Sequence, residues 1–427
     1  MKYTAPKGTK DRLPNETKVW QMVERHFADL CQRFSYREIR VPTFEQTELF
    51  TRGVGEGTDI VQKEMYTFLD KGDRSMTLRP EGTAGVMRSY VENGLASEPS
   101  PLKLYYILSA FRYEKMQKGR YREFHQMGCE LLGSESPLAD AELISLLTIF
   151  FYELGLTKIN LKINSIGCPK CRPAYREALQ DYFRPHLDDL CDDCKTRFEI
   201  NPLRLLDCKV ESCIALAKNA PKQLDYLCED CKDHWAELRL LLDGMEIPYE
   251  VDPQVVRGLD YYTRTVFEFV SENVGTQGTI CGGGRYDGLI EELGGNATPG
   301  VGFAMGVERL LLEMEGQGIK FPDYDPPELF LVSFPEFADK AGILCHRLRQ
   351  AGIHAEADVL GRSMKAQMKA ANRSNAQFMM VLGEEEFSKN YGKIKRMSDG
   401  LEKEMSFDSL VEFFMMQAME REGFLNG

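Results

Sequence analysis

The segment FRYEKMQKGRYREFHQ, residues 111–126, connects two largely apolar runs of the chain. The runs around it, 102–112 and 124–132, have the composition of buried strands. The polar connection predicts that they pair antiparallel around a long basic loop. Because arginine presents a planar, permanent charge to carboxylates and phosphates, the loop predicts an anion site, with Phe124 placed to stack on a flat base. An ordinary charged hairpin with a core phenylalanine is the alternative.

The whole chain has 427 residues and a formal net charge of −13, with a composition typical of a globular protein. That length suggests about three domains. The acidic balance excludes a surface coated in basic residues for non-specific nucleic-acid binding, although local patches can still contact RNA. No apolar run approaches the ~18 residues that span a bilayer, and residues 1–11 are too polar for a signal peptide. We therefore expect a cytoplasmic protein without a membrane partner.

Helical and strand patterns follow one another without a regular βαβ order in the first three quarters of the chain. They predict helices over 15–34 and 307–314, and further strands over 36–41 and 263–270. Such a mixture favours an α+β fold over a doubly wound parallel sheet.

A segment rich in proline and aspartate, FPDYDPPE at 321–328, precedes a different pattern at the end of the chain. There the alternation predicts a small α/β domain with a partly parallel sheet. Its predicted strands cover 329–334, 354–359 and 378–382, and its helices cover 338–351 and 361–375. Residues 340–396 hold 11 basic and 5 acidic residues, a net charge of +6. This excess is typical of a specific nucleic-acid contact, and a solvated helix face explains it equally well.

Four further segments combine glycine with charged or aromatic residues: LRPEGT at 78–83, RGLDYYTRTVFEF at 257–269, CGGGRYDG at 281–288 and GVGFAMGVER at 300–309. None matches a P-loop or a dinucleotide-binding pattern. The three consecutive glycines indicate close backbone approach or positive φ, and a hairpin turn is the simplest alternative. Together the segments predict one site, in which Arg112, Arg257 and Arg309 converge on a polyphosphate and Glu81 meets an ammonium group. Such a site works by position and charge and needs no protein nucleophile.

The same segments resemble those of the bacterial-type histidyl-tRNA synthetases, a family of class II aminoacyl-tRNA synthetases. Residues 111–126 are similar to the class II motif 2 hairpin, and GVGFAMGVERL at 300–310 is similar to motif 3. RGLDYYTRTVFEF and CGGGRYDGL resemble two stretches peculiar to the histidine enzymes. The similarity extends from KGTKDRLP at 7–14 to the end of the α/β domain, and the chain contains neither a HIGH-like nor a KMSKS-like class I motif.

This resemblance implies a class II catalytic domain over 1–325, built on an antiparallel sheet of six or seven strands. A Cys-rich helical insertion domain over 167–247 would interrupt it, and an α/β anticodon-binding domain would cover 328–427. The implied activity is that of a histidine–tRNA ligase, which activates L-histidine with ATP and transfers it to the 3′-terminal adenosine of tRNA(His). The tRNA would be bound by the C-terminal domain and, at its acceptor stem, by the insertion. A homodimer is implied, with the first helix and the following strand at the interface.

The resemblance also implies a role for each matching residue. Arg112 and Arg257 are the implied catalytic residues at the α-phosphate and also contact the histidine, with Arg257 in place of a metal ion. The other implied ATP contacts are Arg309 at the γ-phosphate, Phe124 on adenine and Arg120 nearby. The implied histidine contacts are Glu81, Thr83 and Gln126 at the α-amino group, Glu130 and Tyr262 at the imidazole, and Tyr261 and Tyr286 around the ring. Mg²⁺ is expected on the β- and γ-phosphates.

Eight of the twelve cysteines lie within 64 residues of the expected insertion. They are Cys168, Cys171, Cys191, Cys194, Cys208, Cys213, Cys228 and Cys231. Disulfides are disfavoured in a cytosolic protein, and CxxC pairs at such spacing are typical of a structural zinc site. Because the family as a whole does not require zinc, reduced thiols are favoured. A zinc site is possible and would hold about one ion per chain.

Two non-catalytic functions share the resemblance. Regulatory subunits of ATP phosphoribosyltransferase resemble the catalytic domain but typically lack the ATP-binding arginines and the C-terminal domain. The other alternative is a tRNA-binding sensor module, which would carry an appended kinase or a further domain. The presence of Arg112, Arg257 and Arg309, together with the basic region 340–396, favours the enzyme. Histidine-dependent ATP–pyrophosphate exchange separates the three functions.

Overall fold

The computed structural model describes residues 3–55, 58–208, 210–256, 258–259, 261–271, 278–321 and 325–421. Its strands are β1 (Arg37–Glu38), β2 (Phe44–Gln46), β3 (Tyr66–Leu69), β4 (Ser75–Leu78), β5 (Leu102–Phe111), β6 (Glu123–Leu132), β7 (Asn160–Ser165), β8 (Glu250–Val251), β9 (Thr263–Val270), β10 (Thr279–Arg285), β11 (Gly300–Gly306), β12 (Leu329–Ser333), β13 (Ala355–Ala357), β14 (Phe378–Leu382), β15 (Tyr391–Arg396) and β16 (Glu402–Ser406).

Its helices are α1 (Pro14–Arg33), α2 (Thr47–Val54), α3 (Thr83–Glu92), α4 (Pro137–Glu153), α5 (Arg172–Phe183), α6 (Asp192–Ile200), α7 (Glu211–Ala217), α8 (Glu229–Gly244), α9 (Leu289–Glu292), α10 (Val307–Gly316), α11 (Ala338–Gln350), α12 (Met364–Arg373), α13 (Glu384–Lys389) and α14 (Leu410–Arg421). Within the described ranges, no helix is long and apolar enough to cross a membrane. The chain divides into two compact units, Met1–Pro322 and Asp323–Gly427.

The first unit is built on an eight-stranded sheet with the order β1-β5-β6-β11-β10-β9-β7-β8. Its six inner strands pair antiparallel, and the two-residue strands β1 and β8 add parallel edges, which is why the sheet is larger than expected. The predicted hairpin is confirmed, because β5 and β6 pair continuously from Leu102 opposite Leu132 to Phe111 opposite Glu123. The predicted strand over 263–270 is also confirmed. The strand predicted over 36–41 is shorter and ends before Pro42.

One face of this sheet is covered by helices. The predicted helix α1 starts with proline in its first turn and buries Val23, Phe27 and Leu30 along one stripe. Helix α4 is apolar on all sides because α1, α8 and the sheet surround it. Alternation along β6 sends Met127, Cys129 and Leu131 into this core. Phe124, Gln126 and Glu130 therefore point to the opposite face.

The three consecutive glycines lie inside β10, between β9 and β11, so a hairpin turn at this place is wrong. They allow close approach in the middle of the sheet. A Cβ on Gly283 would lie 2.4 Å from the carbonyl oxygen of Gly302, and one on Gly302 would lie 1.9 Å from Oε2 of Glu130. Glycine at 283 lets β10 pack closely on β11 and the core phenylalanines, and glycine at 302 leaves room for the Glu130 carboxylate on the opposite face.

Between β7 and β8 the chain leaves the sheet and forms the four helices α5 to α8. Helix α8 returns and packs against α4 and β9, so the segment starts and ends on the same sheet edge. Its core is formed by residues such as Tyr175, Leu179, Phe183 and Phe198, which join the apolar cluster next to β5.

The second unit has a five-stranded sheet with the order β13-β12-β14-β15-β16. The first three strands are parallel, as predicted, and the sequence patterns of 329–334 and 378–382 are confirmed as β12 and β14. The antiparallel hairpin β15-β16 was not predicted. The linker predicted over 321–328 includes residues 322–324, which lie outside the described residues.

Candidate active site

A cavity of about 550 Å³ opens on the sheet face opposite α1 and α4. Nine of the predicted site residues line it: Glu81, Thr83, Arg112, Arg120, Phe124, Gln126, Tyr261, Tyr262 and Arg309. Glu130 and Tyr286 are buried beneath its wall and do not line it. Arg257 lies outside the described residues, while Val256 and Gly258 on either side of it line the cavity. The structure thus brings together residues that lie far apart in the chain.

Arg112 and Arg120 are held at the cavity by the ends of the hairpin. The backbone N–H of Arg112 donates to the carbonyl of Arg122 at 2.9 Å, which closes the β5–β6 ladder. Its Nε donates to the carbonyl of Pro80 at 2.8 Å, and its guanidinium lies 5.2 Å from the ring centre of Phe124. Glu114, which the sequence analysis did not single out, lies 3.1 Å from Arg120 and 3.8 Å from Arg112. The carboxylate of Glu114 therefore interacts with two guanidinium groups.

Arg309 projects from the first turn of α10, directly after strand β11, as the motif predicted. Its Nη1 donates to the carbonyl of Thr279 at 2.6 Å. Burial lowers the pKa of Arg309, and the positive charges of Arg120 and Arg112 lower it further against attraction from Glu114 and Glu268. The three guanidinium groups thus repel one another across the cavity, which prepares it for an anion.

His125 and Glu308 join the hairpin to α10, and sequence reasoning did not find this link. Glu308 accepts hydrogen bonds from the backbone N–H of His125 and from Arg12, both at 3.0 Å, and its carboxylate also lies 3.0 Å from the His125 ring nitrogen. Because Phe124 precedes His125 and Arg309 follows Glu308, the contact fixes two cavity residues relative to each other. The sequence feature that could have indicated this contact is the carboxylate residue directly before Arg309.

Two buried carboxyl groups, those of Glu81 in the cavity wall and Glu130 beneath it, lie at the inner end of the cavity. Glu81 accepts hydrogen bonds from the backbone N–H groups of Thr83 and Ala84, at 2.6 and 2.9 Å, and so caps α3. Burial raises the pKa of Glu81 against these bonds. Thr83 donates its hydroxyl to Glu130 at 2.7 Å, and Tyr286 donates to the other oxygen of Glu130. Burial raises the pKa of Glu130 to about 8, so this carboxyl is mostly protonated at neutral pH.

Aromatic rings and one amide complete this inner end. The rings of Tyr261 and Tyr262 lie 4.6 Å apart, and Tyr261 meets Tyr286 edge-on at 5.6 Å. Gln126 lines the cavity from β6, and its side-chain oxygen is buried without a hydrogen-bond partner among the described residues. A buried amide oxygen without a partner is costly unless a ligand supplies a donor.

The helical segment between β7 and β8 also contributes to the wall, which sequence reasoning missed. Leu206, Asp207 and Cys208 line the cavity. Arg204 donates to the carbonyl of Gly258 at 3.0 Å. The segment is therefore tied to the chain immediately after Arg257.

The cavity as a whole separates two environments. One end concentrates guanidinium groups beside Phe124, and the other end offers neutral or hydrogen-bonded acids, an unpaired amide oxygen and tyrosine rings. A polyanion with a flat base fits the first end. A small ligand with an ammonium group and a polar ring fits the second.

Comparisons with known proteins agree with this geometry. The family model described as histidyl-tRNA synthetase matches residues 8–310, and that of an anticodon binding domain matches residues 330–416. The histidine–tRNA ligase of Acetivibrio thermocellus is 56% identical over 96% of this chain and 99% of its own length. That of Caldanaerobacter subterraneus subsp. tengcongensis is 53% identical over 95% and 98%. The crystal structure of apo S. aureus histidyl-tRNA synthetase is 40% identical, covers 96% of this chain and 99% of that one, and has a TM-score of 0.82.

The chain belongs to the histidyl-tRNA synthetase family. The predictions of a class II synthetase fold with an anticodon-binding domain, and of a histidine–tRNA ligase, are confirmed by these matches. The match at 330–416 also removes the main reason for a regulatory subunit, since that alternative lacks the C-terminal domain. Membership in the histidyl-tRNA synthetases does not assign the individual residues of the cavity, whose roles stay predictions.

Proposed function

We propose that the cavity forms histidyl-adenylate from L-histidine and ATP, and that histidine then passes to the 3′-terminal adenosine of tRNA(His). The observation that carries this proposal is the meeting of Arg112, Arg120 and Arg309 around one cavity whose inner end is lined by a carboxyl group of raised pKa and tyrosines. The triphosphate of ATP would relieve the repulsion among the three guanidinium groups. Histidine would occupy the inner end.

In this assignment ATP lies along the hairpin and α10. Phe124 stacks on adenine, with Arg120 beside the nucleotide, Arg309 holds the γ-phosphate and Arg112 contacts the α-phosphate. Arg257, assigned here on the resemblance alone, is the second group at the α-phosphate. The contact between Arg112 and the Phe124 ring supports a common site for base and phosphate.

Histidine is assigned to the inner end by the chemistry of its walls. Its ammonium group would donate to Glu81, Thr83 and the unpaired oxygen of Gln126. The imidazole must satisfy two ring nitrogens, one donor and one acceptor, and a protonated Glu130 with Tyr262 offers both functions. Tyr261 and Tyr286 enclose the ring. An amino acid without these nitrogens would leave buried polar groups unpaired and would be rejected.

Adenylation then follows from position and charge. The histidine carboxylate attacks the α-phosphorus, the new bond joins its oxygen to phosphorus, and pyrophosphate leaves with the broken bond. Arg112 and Arg257 stabilise the negative charge that builds on the phosphate oxygens. In the second step the ribose hydroxyl of the tRNA attacks the activated carbonyl and loses its proton as the ester bond forms, and AMP leaves as the bond between the carbonyl carbon and the phosphate oxygen breaks.

The cavity carboxylates are compatible with Mg²⁺, which prefers oxygen ligands and usually binds one or two carboxylates together with phosphates. Glu114 and Glu268 line the cavity and would hold the ion with the β- and γ-phosphates. When bound, the ion neutralises charge on the leaving pyrophosphate. Glu268 also accepts a hydrogen bond from Thr279 at 2.8 Å, which fixes it beside the residue that orients Arg309.

Binding of tRNA(His) by the second unit is supported by a row of cations on α12. Lys365, Lys369 and Arg373 are spaced four residues apart, are all exposed, and share their helix with no acidic residue. Like charges at this spacing destabilise a helix by themselves, so they fit a surface that meets a polyanion. A homodimer is proposed on the resemblance, with α1 and β1 at the interface. The side chains around that edge, among them Gln21, Arg25 and Arg40, form an open groove.

The test is ATP–pyrophosphate exchange with each amino acid offered separately. We expect exchange with L-histidine alone, and Arg257→Ala is expected to abolish it while the circular dichroism spectrum stays unchanged. Exchange that ignores histidine would overturn the assignment. Activity of Arg257→Ala within tenfold of the wild type would overturn the role of Arg257.

A further inference from the structure

Eight cysteines of the helical segment between β7 and β8 form two clusters of four. The base cluster is Cys168, Cys171, Cys228 and Cys231, and the pocket cluster is Cys191, Cys194, Cys208 and Cys213. In each cluster the four sulfur atoms lie within 4.8 Å of one another. We propose that each cluster binds one structural zinc ion, so that a chain holds two.

The geometry of the sulfur atoms carries the proposal. Four sulfurs at 2.3 Å from a tetrahedral zinc lie about 3.8 Å apart. In the base cluster, Sγ of Cys168 lies 3.6 Å from that of Cys171 and 3.7 Å from that of Cys228. In the pocket cluster, Cys191 lies 3.8 Å from Cys208. Both clusters thus have the spacing that a zinc ion with four thiolates requires.

Backbone donors around the sulfurs fit thiolates. The N–H of Cys228 donates to Sγ of Cys171 at 3.1 Å in the base cluster. In the pocket cluster, Cys213 accepts from the N–H of Cys191 at 3.4 Å, and Cys208 accepts from that of Val210 at 3.5 Å. Hydrogen bonds of this kind orient the ligands and offset their negative charge.

The chain path determines which cysteines belong to each cluster. The first CxxC pair joins the last one, and the other four cysteines are nested between them, with four residues between Cys208 and Cys213 where a CxxC pair has two. Gly167, just before the base cluster, has a φ of +66°, and a Cβ there would lie 2.9 Å from Cβ of Cys171. Glycine therefore permits the turn that places Cys168 and Cys171 against α8.

Two other states of the thiols fit the clusters less well. A disulfide needs sulfurs about 2.05 Å apart, far closer than those measured here. Cys31 and Cys129 are an example of thiols that only pack together, since their sulfur atoms lie 3.6 Å apart in the apolar core. That contact joins two cysteines, and among the described residues it belongs to no group of three or more metal-ligating side chains. Four converging thiols in each cluster indicate a ligand set.

Each site would have its own structural consequence. The base cluster joins the point where the chain leaves β7 to the start of α8, where it returns, and so closes the segment at the sheet. The pocket cluster holds Cys208, which lines the active-site cavity next to Leu206 and Asp207. Zinc there would order a wall of the cavity from outside the catalytic residues. A small segment stabilised by metal is common where the apolar core is limited.

The experiment measures zinc by elemental analysis in the full chain, purified without chelators from zinc-supplemented cells. We expect two zinc ions per chain. Cys168→Ala/Cys171→Ala and Cys191→Ala/Cys194→Ala should each retain one. Cys31→Ala/Cys129→Ala removes two touching thiols outside the clusters and should retain two.

A second measurement does not depend on how the variants fold. Titration of the wild type with an organomercurial should release two zinc ions and consume four thiols for each. Protein without zinc, whose eight thiols react freely while it is folded, would overturn the proposal. One zinc ion per chain would overturn the pair of sites, and tightly bound iron would overturn the identity of the metal.

Discussion

Two arginines of the first unit, Arg285 and Arg309, differ in the charges of their neighbours. At the end of β10, Arg285 is fully buried, and its guanidinium donates to Asp140, to Asp287 at 3.1 Å, and to the carbonyls of Ser134 and Ser136 at 2.7 and 3.1 Å. Attraction from Arg285, aided by His234, outweighs the burial that would raise the pKa of Asp140 and holds that pKa at about 2. The protein itself therefore supplies the carboxylates that neutralise the charge of Arg285.

At the cavity, Arg309 is also largely buried, but its neighbours include Arg112 and Arg120, and its pKa is lowered. A buried charge with its own carboxylates is part of the fold. A cluster of cations with fewer carboxylates than guanidinium groups repels itself, and a bound anion would relieve that repulsion. The comparison therefore separates an arginine that holds the structure from arginines that we propose bind the substrate.

The largest expected effect is on stability, at Arg285. Arg285→Met should lower the free energy of unfolding of the first unit by about 3–5 kcal/mol, because it leaves the carboxylate of Asp140 buried without its cation. Urea denaturation followed by circular dichroism measures this loss. Asp140→Leu combined with Arg285→Met should recover part of it, and a double variant as unstable as the sum of the singles would contradict the buried pair.

The same substitution at the cavity should act on catalysis. Arg309→Met should lower the rate of histidine-dependent pyrophosphate exchange by about 10²–10³-fold, the usual cost of removing one preorganised charge partner. The free energy of unfolding should stay equal or rise, since repulsion from Arg120 and Arg112 is removed. A loss of stability as large as that of Arg285→Met would show that Arg309 is also structural and would break the comparison.

The contrast between these arginines marks what a sequence can and cannot reveal. The hairpin β5–β6 and Arg309 follow from local signals, an apolar run on each side of a basic loop and a strand-to-helix turn. Arg285 stands in a predicted motif as well, but its partner Asp140 is 145 residues away, and only the fold brings them together. The grouping of the cysteines also comes from the fold, which brings the first CxxC pair next to the last. Motifs with a shared chemistry are readable in the chain, whereas a buried ion pair such as that of Arg285 with Asp140 is not.

A smaller effect is expected at Gln126, the polar group of the inner end that has no partner for its oxygen. Gln126→Met preserves the size of the side chain and removes the acceptor. It should raise the KM for histidine about 10–100-fold, the value of a hydrogen bond to a charged group. Pyrophosphate exchange at varied histidine and at varied ATP measures this effect. A change in the KM for ATP alone would place Gln126 at the nucleotide instead.

The smallest effect concerns Glu130, a buried carboxyl group that is neutralised by a bound proton and not by a neighbouring cation. Burial raises the pKa of Glu130 to about 8, above its usual value of 4.5. The folded state therefore keeps a proton that the unfolded chain releases, and stability should fall as pH rises from 4.5 through 8.

Between pH 6 and 7 this fall should be about 1 kcal/mol. Glu130→Gln cannot titrate, so its free energy of unfolding should lack this component while all other titrating groups contribute equally to both proteins. Urea unfolding of the wild type and the variant at pH 6, 7 and 8 isolates the difference. Parallel pH profiles would mean that Glu130 is ionised in the folded protein. It would then need a cation as Asp140 does, and the inner end of the cavity would be charged where we assign a neutral pocket for imidazole.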